Sequence, residues 1–232
     1  MLDKSFIASN RLPMVTDDLL MMAMVLLIAI LIVLLIFKAL KQTFNLIELF
    51  LILLCPLVGL FWEDTSIEMF AIESMVFRID IIGAAIPMIV GAGLLIRSFR
   101  KIKASNLILT VIVVALSTYA TTDLTSDGVI AYFPLYLIPP ITATIVSFMV
   151  SQYPYSGRLA FSSSVFGVLI GADLIRIWEI ADYNLIGTAT IGGAGVSDMI
   201  FISGILAVLM SSLLVPFKRK KPEVVHEEVR EE

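Results

Sequence analysis

The segment LLMMAMVLLIAILIVLLIF, residues 19–37, decides the class of fold. A helix that crosses a lipid bilayer needs about 20 mostly apolar residues, and this segment carries no charge. Asp17 and Asp18 precede it, and Lys38 follows it without a small-residue cleavage site, so its flanks differ from those of a secretory signal peptide. The segment therefore predicts a transmembrane helix.

The composition agrees with a membrane protein and excludes several other classes. Of the 232 residues, 59% are hydrophobic and 16% are charged, whereas soluble domains are about 25% charged. The net charge of −4 argues against a nucleic-acid-binding protein. A single cysteine, Cys55, excludes a disulfide framework and an iron–sulfur centre, and the single histidine, His226, lies near the C-terminus. We expect no metal and no cofactor, so any acid–base chemistry would have to come from carboxylates.

Seven apolar segments are predicted to span the membrane as an all-α, polytopic helix bundle. They cover residues 19–37, 46–61, 79–96, 106–122, 129–150, 159–177 and 191–216. The stretch between the second and third segments, residues 62–78, predicts a short amphipathic surface helix. Residues 1–217 then form one transmembrane domain, and residues 218–232 form a charged cytoplasmic tail.

The distribution of basic residues predicts the orientation. Of the sixteen lysines and arginines, only Lys4, Arg11, Arg78 and Arg176 fall on the side opposite the C-terminal tail when seven spans are counted. Because cytoplasmic loops carry the excess of lysine and arginine, the N-terminus is predicted outside and the C-terminus in the cytoplasm. The protein is therefore expected in the cell membrane as a multi-pass protein.

Two aspartates lie inside predicted spans, where a charge is costly and usually functional. Asp173 lies one turn before the end of the sixth span, and Asp198 lies about two turns into the seventh. Consecutive spans are usually antiparallel neighbours, so both carboxylates are predicted at similar depth in the outer half of the bilayer. Asp80 enters the third span from the same side.

Glycines and prolines near these aspartates predict broken helices. Gly192, Gly193 and Gly195 precede Asp198, and repeated glycine lowers helix stability. Irregular backbone at membrane depth persists only where protein covers it or a watery cavity adjoins it, so we expect a polar cavity there. The pair Pro139 and Pro140 is predicted to kink the fifth span, and Pro87 the third.

Three interpretations of the aspartates remain open. Two facing carboxylates can share a proton, so that one activates water while the other protonates a leaving group. The same carboxylates suit a proton or cation site in a transporter or channel. A structural interpretation pairs Asp173 with Arg176 on one helix face and makes Asp198 a helix cap.

Four segments of the sequence resemble a known prokaryotic family of multi-pass membrane proteins with a domain of unknown function. The segments are IDIIGAAIPMIV (79–90), YFPLYLIPPITA (132–143), GVLIGADLIRIWEI (167–180) and IGGAGVSDMIFISGILAVL (191–209). Asp173, together with Gly193, Gly195 and then Asp198, is also distantly similar to GxGD-type intramembrane aspartyl proteases. That likeness implies a catalytic pair of aspartates.

The preferred hypothesis is a di-aspartate intramembrane hydrolase with Asp173 and Asp198 as catalytic residues. Its substrate-binding surface is predicted to comprise Gly192, Gly193, Gly195, Asp80, Pro139 and Pro140. The first alternative is a small solute or ion transporter or channel that uses the same aspartates, and the second is a non-enzymatic scaffold or subunit. The expected partners are the lipid bilayer and either a transmembrane peptide or a small solute, but no nucleic acid.

Overall fold

The computed structural model describes residues 12–62, 64–72, 75–125, 128–152, 155–182 and 187–218, and these residues are mostly helical. The chain divides into two compact units, residues 1–39 and 40–232. The charged tail is predicted to begin at residue 218, and its residues 219–232 lie outside the described residues. Its predicted cytoplasmic location concerns those residues and stays a prediction. The division into one membrane domain and a tail stays a prediction.

Most of the first unit is one long apolar helix. Helix α1 runs Leu12–Thr43, and its side chains from Met21 to Leu35 are roughly half exposed or more. The segment Met21–Thr43 is long and apolar enough to cross a membrane. Such exposure on every face is expected of a helix surrounded by lipid. The last turn of α1, from Leu40, belongs to the second unit.

The second unit is a helical bundle built around one central helix. Its helices are α2 (Leu46–Phe61), α3 (Ile86–Ser98), α4 (Ala104–Thr121), α5 (Ile138–Val150), α6 (Tyr155–Val168), α7 (Ile175–Asp182) and α8 (Met199–Lys218). Helix α6 packs against α3, α4, α5 and α8, and its residues Phe161 and Val165 are fully buried. A π-helical segment, Leu169–Leu174, joins α6 to α7, and another, Ile81–Ala85, precedes α3.

Span lengths support a membrane bundle without fixing the number of crossings. Among the described residues, Ile81–Ser98, Ala104–Thr121 and Tyr155–Ile177 join Met21–Thr43 as helices long and apolar enough to cross. The apolar helices Leu46–Gly59, Leu135–Val150 and Met199–Leu214 are shorter. The chain is therefore a helical membrane protein, and the count of seven spans and their orientation stay predictions.

Small β-sheets correct the expectation of a purely helical fold. Strands β1 (Ser66–Ile72) and β2 (Met75–Asp80) pair antiparallel, and β2 pairs in parallel with β5 (Gly187–Ile191), giving the order β1-β2-β5. The predicted surface helix over residues 62–78 is therefore wrong. Met75 and Phe77, two residues apart, are both buried, which is the period of a strand. A second hairpin joins β3 (Asp123–Thr125) to β4 (Gly128–Ile130).

Three predicted spans begin later than their apolar runs suggested. The third starts only after Asp80, which ends β2, and its helix passes through a π segment before Pro87. The fifth starts at a short 3₁₀ turn, Leu135–Leu137. Pro139 and Pro140 lie in the first turn of α5, where a missing N–H costs little, so the predicted mid-helix kink is wrong. The seventh begins at Met199 after an irregular, glycine-rich turn, as expected.

Candidate functional site

A cavity of about 360 Å³ lies where several elements of the bundle begin or end. It is bounded by the end of α4, the hairpin β3–β4, the approach to α5, the π segment after α6 and the start of α8. Its lining residues are Thr122, Val129, Ile130, Ala131, Tyr136, Val168, Ala172, Asp173, Ala194, Ser197, Asp198, Met199, Ile202 and Ser203. Both aspartates singled out in the sequence thus line one cavity.

Asp173 is carried by the π segment Leu169–Leu174. Such local widening of an α-helix is frequent at functional sites. Within the part of the chain that the structure describes, the Asp173 carboxylate has no hydrogen bond and no ion pair. Arg176 does not pair with it and instead donates to the carboxylate of Glu179 over 2.6 Å. The Asp173 carboxylate therefore lines the cavity without a partner among the described residues.

Asp198 also lines the cavity, but the backbone holds its carboxylate. Asp198 stands immediately before α8, and its Oδ1 accepts a hydrogen bond of 2.9 Å from the backbone N–H of Ile200. Its Oδ2 lies 3.5 Å from the backbone nitrogen of Ala194, a long hydrogen bond. This geometry is that of a helix N-cap, and the positive end of the helix dipole favours a negative charge here. Asp198 thus caps helix α8 and also lines the cavity.

The turn that carries Asp198 is shaped by glycine. Gly192 has φ +74° and Gly195 has φ +58°, which L side chains rarely adopt. A Cβ on Gly192 would lie 2.6 Å from the Cβ of Ala84 in the π segment before α3. At Gly193 a Cβ would lie 3.0 Å from the carbonyl oxygen of Thr190. The same Cβ on Gly192 would lie 2.7 Å from the backbone nitrogen of Ala84, so Gly192 closely approaches other residues of this chain.

Asp80 supports this turn from outside the cavity. Its side chain is buried and accepts hydrogen bonds from the Gly83 backbone N–H at 2.6 Å and from the Thr65 hydroxyl at 2.7 Å. Gly83 in turn packs directly against the backbone of Gly192, where a Cβ could not fit. The Asp80 carboxylate thus fixes the end of β2 to the π segment that packs against the glycine turn.

The structure separates the predicted site residues into two groups. Among the described residues, the cavity lining includes the predicted catalytic pair, Asp173 and Asp198. It does not include the predicted substrate-binding residues Asp80, Gly192, Gly193, Gly195, Pro139 and Pro140. The two prolines are buried in α5, where the Thr144 hydroxyl donates to the Pro140 carbonyl at 2.7 Å.

Several polar lining residues were not singled out in the sequence. Four lining residues carry hydroxyl groups: Thr122, Tyr136, Ser197 and Ser203. The Ser203 hydroxyl is hydrogen-bonded to that of Ser164 on α6. A serine inside a membrane helix often bonds across to a neighbouring helix, so Ser203, five residues after Asp198, carried a usable signal.

The lining offers few metal ligands. In the described ranges, no group of three or more histidine, cysteine, aspartate or glutamate side chains could hold a metal ion. The chemistry available is that of two carboxylates and several hydroxyls beside apolar side chains.

Comparison with known proteins identifies the family of this sequence. The family model described as "Protein of unknown function (DUF1614)" matches residues 30–210, which include Asp80, Asp173 and Asp198. The chain belongs to the DUF1614 family. The resemblance to a family of unknown function is thereby confirmed, whereas the likeness to aspartyl proteases receives no support from the DUF1614 match. No curated protein and no solved structure matches this DUF1614 protein.

Proposed function

We propose that this DUF1614 membrane protein is a transport protein that takes a small positively charged solute from water into the cavity lined by Asp173 and Asp198. One observation carries the proposal: both carboxylates line the cavity, and no lysine, arginine or histidine is among the described lining residues. A concave site lined by one sign of charge concentrates ions of the opposite sign. The Asp173 carboxylate has no hydrogen-bond or ion-pair partner among the described residues, so it is available to a cation.

The position of the cavity along the bundle supports access from water. Asp173 lies fifteen residues after Arg158, so the two are about 22 Å apart along the helix axis. Arg158 contacts the Ser98 hydroxyl at 3.4 Å, at the end of α3 distant from Asp80. The cavity thus belongs to the end of the bundle opposite Arg158, close to where the helices α5 and α8 begin. A solute dissolved in water can reach such a position without crossing the bilayer.

The broken backbone around the cavity also supports transport. The π segment of Asp173 and the glycine turn before Asp198 both interrupt regular helix beside the lining residues. Secondary transporters commonly bind solutes at discontinuous helices, where helix ends and freed backbone groups can contact the ligand.

The direct test is uptake by the purified chain in liposomes. A mixture of small cationic metabolites is supplied outside, and accumulated solutes are identified by mass spectrometry. We expect at least one cation to accumulate several-fold above empty liposomes with the wild type and with Glu68→Gln, but not with Asp173→Asn. Glu68 is exposed on β1, so Glu68→Gln is a control that removes the same charge outside the cavity. Uptake equal to that of empty liposomes, or unchanged in Asp173→Asn, would show that the proposal is wrong.

A second candidate function is the di-aspartate hydrolase, because the two carboxylates differ in bonding. Asp198 is held by backbone N–H groups, whereas Asp173 has no described partner. Such asymmetry suits a pair in which one carboxylate is ionised and the other carries a proton. Cleavage of membrane-embedded peptides by the wild type, lost in both Asp173→Asn and Asp198→Asn, would favour this function. Intact peptides after incubation with the wild type would remove it.

A further inference from the structure

We infer that the solute taken by the cavity is an amphipathic primary amine, with an ammonium group on a compact apolar body. This inference rests on the proposed function and deepens it by naming the class of ligand. Three observations support the amine: the separate acidic and apolar parts of the lining, the few metal ligands among the described residues, and the size of the cavity.

The lining has an acidic part and a larger apolar part. The acidic part consists of Asp173 and Asp198, and the polar residues Ser197 and Ser203 also line the cavity. The apolar side chains are Val129, Ile130, Ala131, Val168, Ala172, Ala194, Met199 and Ile202. A bare inorganic ion or a fully hydrated one would leave these apolar side chains against water. An organic cation would cover them, and the removal of this apolar surface from water would favour its binding.

The acceptors available suit an ammonium group. A primary ammonium has three N–H donors and no acceptor. Among the described residues, the Asp173 carboxylate accepts no hydrogen bond, and Oδ2 of Asp198 accepts one long bond of 3.5 Å from the Ala194 backbone. Hydrogen bonds between an ammonium and a carboxylate are about twice as strong as neutral ones. Tyr136 adds an aromatic ring to the lining, which can also attract a cation through its face.

A divalent metal suits the lining less well than an amine does. Ca²⁺ takes six to eight oxygen ligands, and Mg²⁺ requires near-octahedral geometry. Among the described residues, no cluster reaches three acidic, histidine or cysteine side chains. The cavity volume of about 360 Å³ falls within the range of roughly 300–1,000 Å³ that is typical of small-molecule sites. That volume is far larger than a single metal ion.

The test compares amines with neutral molecules of the same shape by calorimetry on the detergent-purified full chain. The probes are butylamine, cyclohexylamine and phenylethylamine, each paired with its alcohol, together with calcium chloride. We expect at least one amine to bind at least tenfold more tightly than its alcohol. Asp173→Asn should weaken that binding at least tenfold, and so should Asp198→Asn, in which asparagine retains the helix cap. Glu68→Gln should bind like the wild type.

The outcomes separate this inference from the proposed function. Binding of an alcohol as tight as that of its amine, or no binding of any amine, overturns the inference. If calcium binds to the wild type but not to Asp173→Asn, and no amine binds, the inferred amine ligand is wrong, although the cavity still binds a cation. If amines bind through Asp173 but liposome uptake is absent, the amine site stands and the transport function fails.

Discussion

The guanidinium of Arg176 donates a hydrogen bond of 2.6 Å to the backbone carbonyl of Thr122 and so joins α7 to the end of α4. It also donates to the Tyr119 carbonyl at 3.2 Å, stacks 4.3 Å from the Tyr119 ring centre, and pairs with Glu179. The Tyr119 hydroxyl donates to Glu179 at 2.8 Å. We call these four residues the Arg176 cluster. Because Thr122 lines the cavity and directly precedes the hairpin β3–β4, the cluster fixes one wall of the site.

We expect Arg176→Met to loosen that wall. The substitution keeps the length of the apolar stem and removes every hydrogen bond of the guanidinium. Each hydrogen bond to a charged group contributes about 1.5–3 kcal/mol. For a protein of this size, the loss of one such bond corresponds to a fall in Tm of roughly 3–12 °C. Hydrogen exchange should also accelerate in residues 123–130. The control is Arg78→Met, because the hydrogen bonds of Arg78 to described residues are longer, at 3.3 Å to exposed Asp64 and to the Ser66 carbonyl. Equal effects of the two variants would contradict this prediction.

The Arg176 cluster should make stability depend on pH in the acid range. The hydrogen bond from Arg176, followed by that from the Tyr119 hydroxyl, lowers the pKa of Glu179 below its ordinary value of 4.5. A lowered carboxylate pKa stabilises the fold above pH 4.5, and this contribution is lost as the pH falls through the folded-state value. The difference in Tm between wild type and Glu179→Gln should therefore be largest near pH 7 and shrink below pH 4.5. A difference that stays constant across this range would contradict the prediction.

Two glycines of the turn before Asp198 form a matched pair for substitution. Both have positive φ, so alanine at either position costs about 1–2 kcal/mol of backbone strain. At Gly195 the added methyl group meets open space, whereas at Gly192 it would lie 2.6 Å from the Cβ of Ala84. We expect Gly195→Ala to lower the Tm by a few degrees and Gly192→Ala to lower it substantially more, measured by thermal unfolding in detergent. Similar Tm values for Gly192→Ala and Gly195→Ala would contradict this prediction, because the close contact with Ala84 would then not lower stability.

The sequence predicted the parts of the fold that depend on local hydrophobicity. The bounds of α2, Leu46–Phe61, coincide with the predicted second span. The packing of α6 against α8 follows from the antiparallel pairing of consecutive apolar segments, and it brings Asp173 and Asp198 to one cavity. Their chemical function is not determined by that placement and stays a prediction.

Other parts of the structure depend on contacts between distant residues, which a single sequence does not reveal. Strand β2 pairs with β5, so Phe77 is opposite Ala189, more than a hundred residues later. The hydrogen bond between Arg176 and Thr122 likewise joins separate elements, and local spacing suggested Asp173 as the partner of Arg176 instead. The two π segments have no periodicity that distinguishes them from ordinary helix. The sequence therefore indicated the two aspartates. It did not lead us to predict the hydroxyl-bearing lining residues or the cavity wall held by the Arg176 cluster.

The structure predicts opposite consequences for variants of Asp80 and Asp173. Asp80→Ala leaves the buried Gly83 N–H and the partly buried Thr65 hydroxyl without their acceptor, and a buried donor left unpaired costs about 1–3 kcal/mol. It should therefore lower the Tm while the uptake per folded molecule stays within about twofold of wild type. Asp173→Asn should abolish uptake with a Tm close to that of the wild type. If Asp80→Ala abolishes uptake at an unchanged Tm, Asp80 belongs to the solute site, as the sequence predicted.

The orientation can be tested with single cysteines, because Cys55 is the only cysteine in the sequence and is buried. Asp64 is exposed before β1, and Lys101 is exposed between α3 and α4, so Ile81–Ser98 separates them. The excess of basic residues on the Lys101 side predicts that this side is cytoplasmic. In intact cells, a membrane-impermeant maleimide should label Asp64→Cys, whereas Lys101→Cys should react only after permeabilisation. The reverse pattern would invert the orientation, and labelling of both from outside would show that Ile81–Ser98 does not cross the membrane.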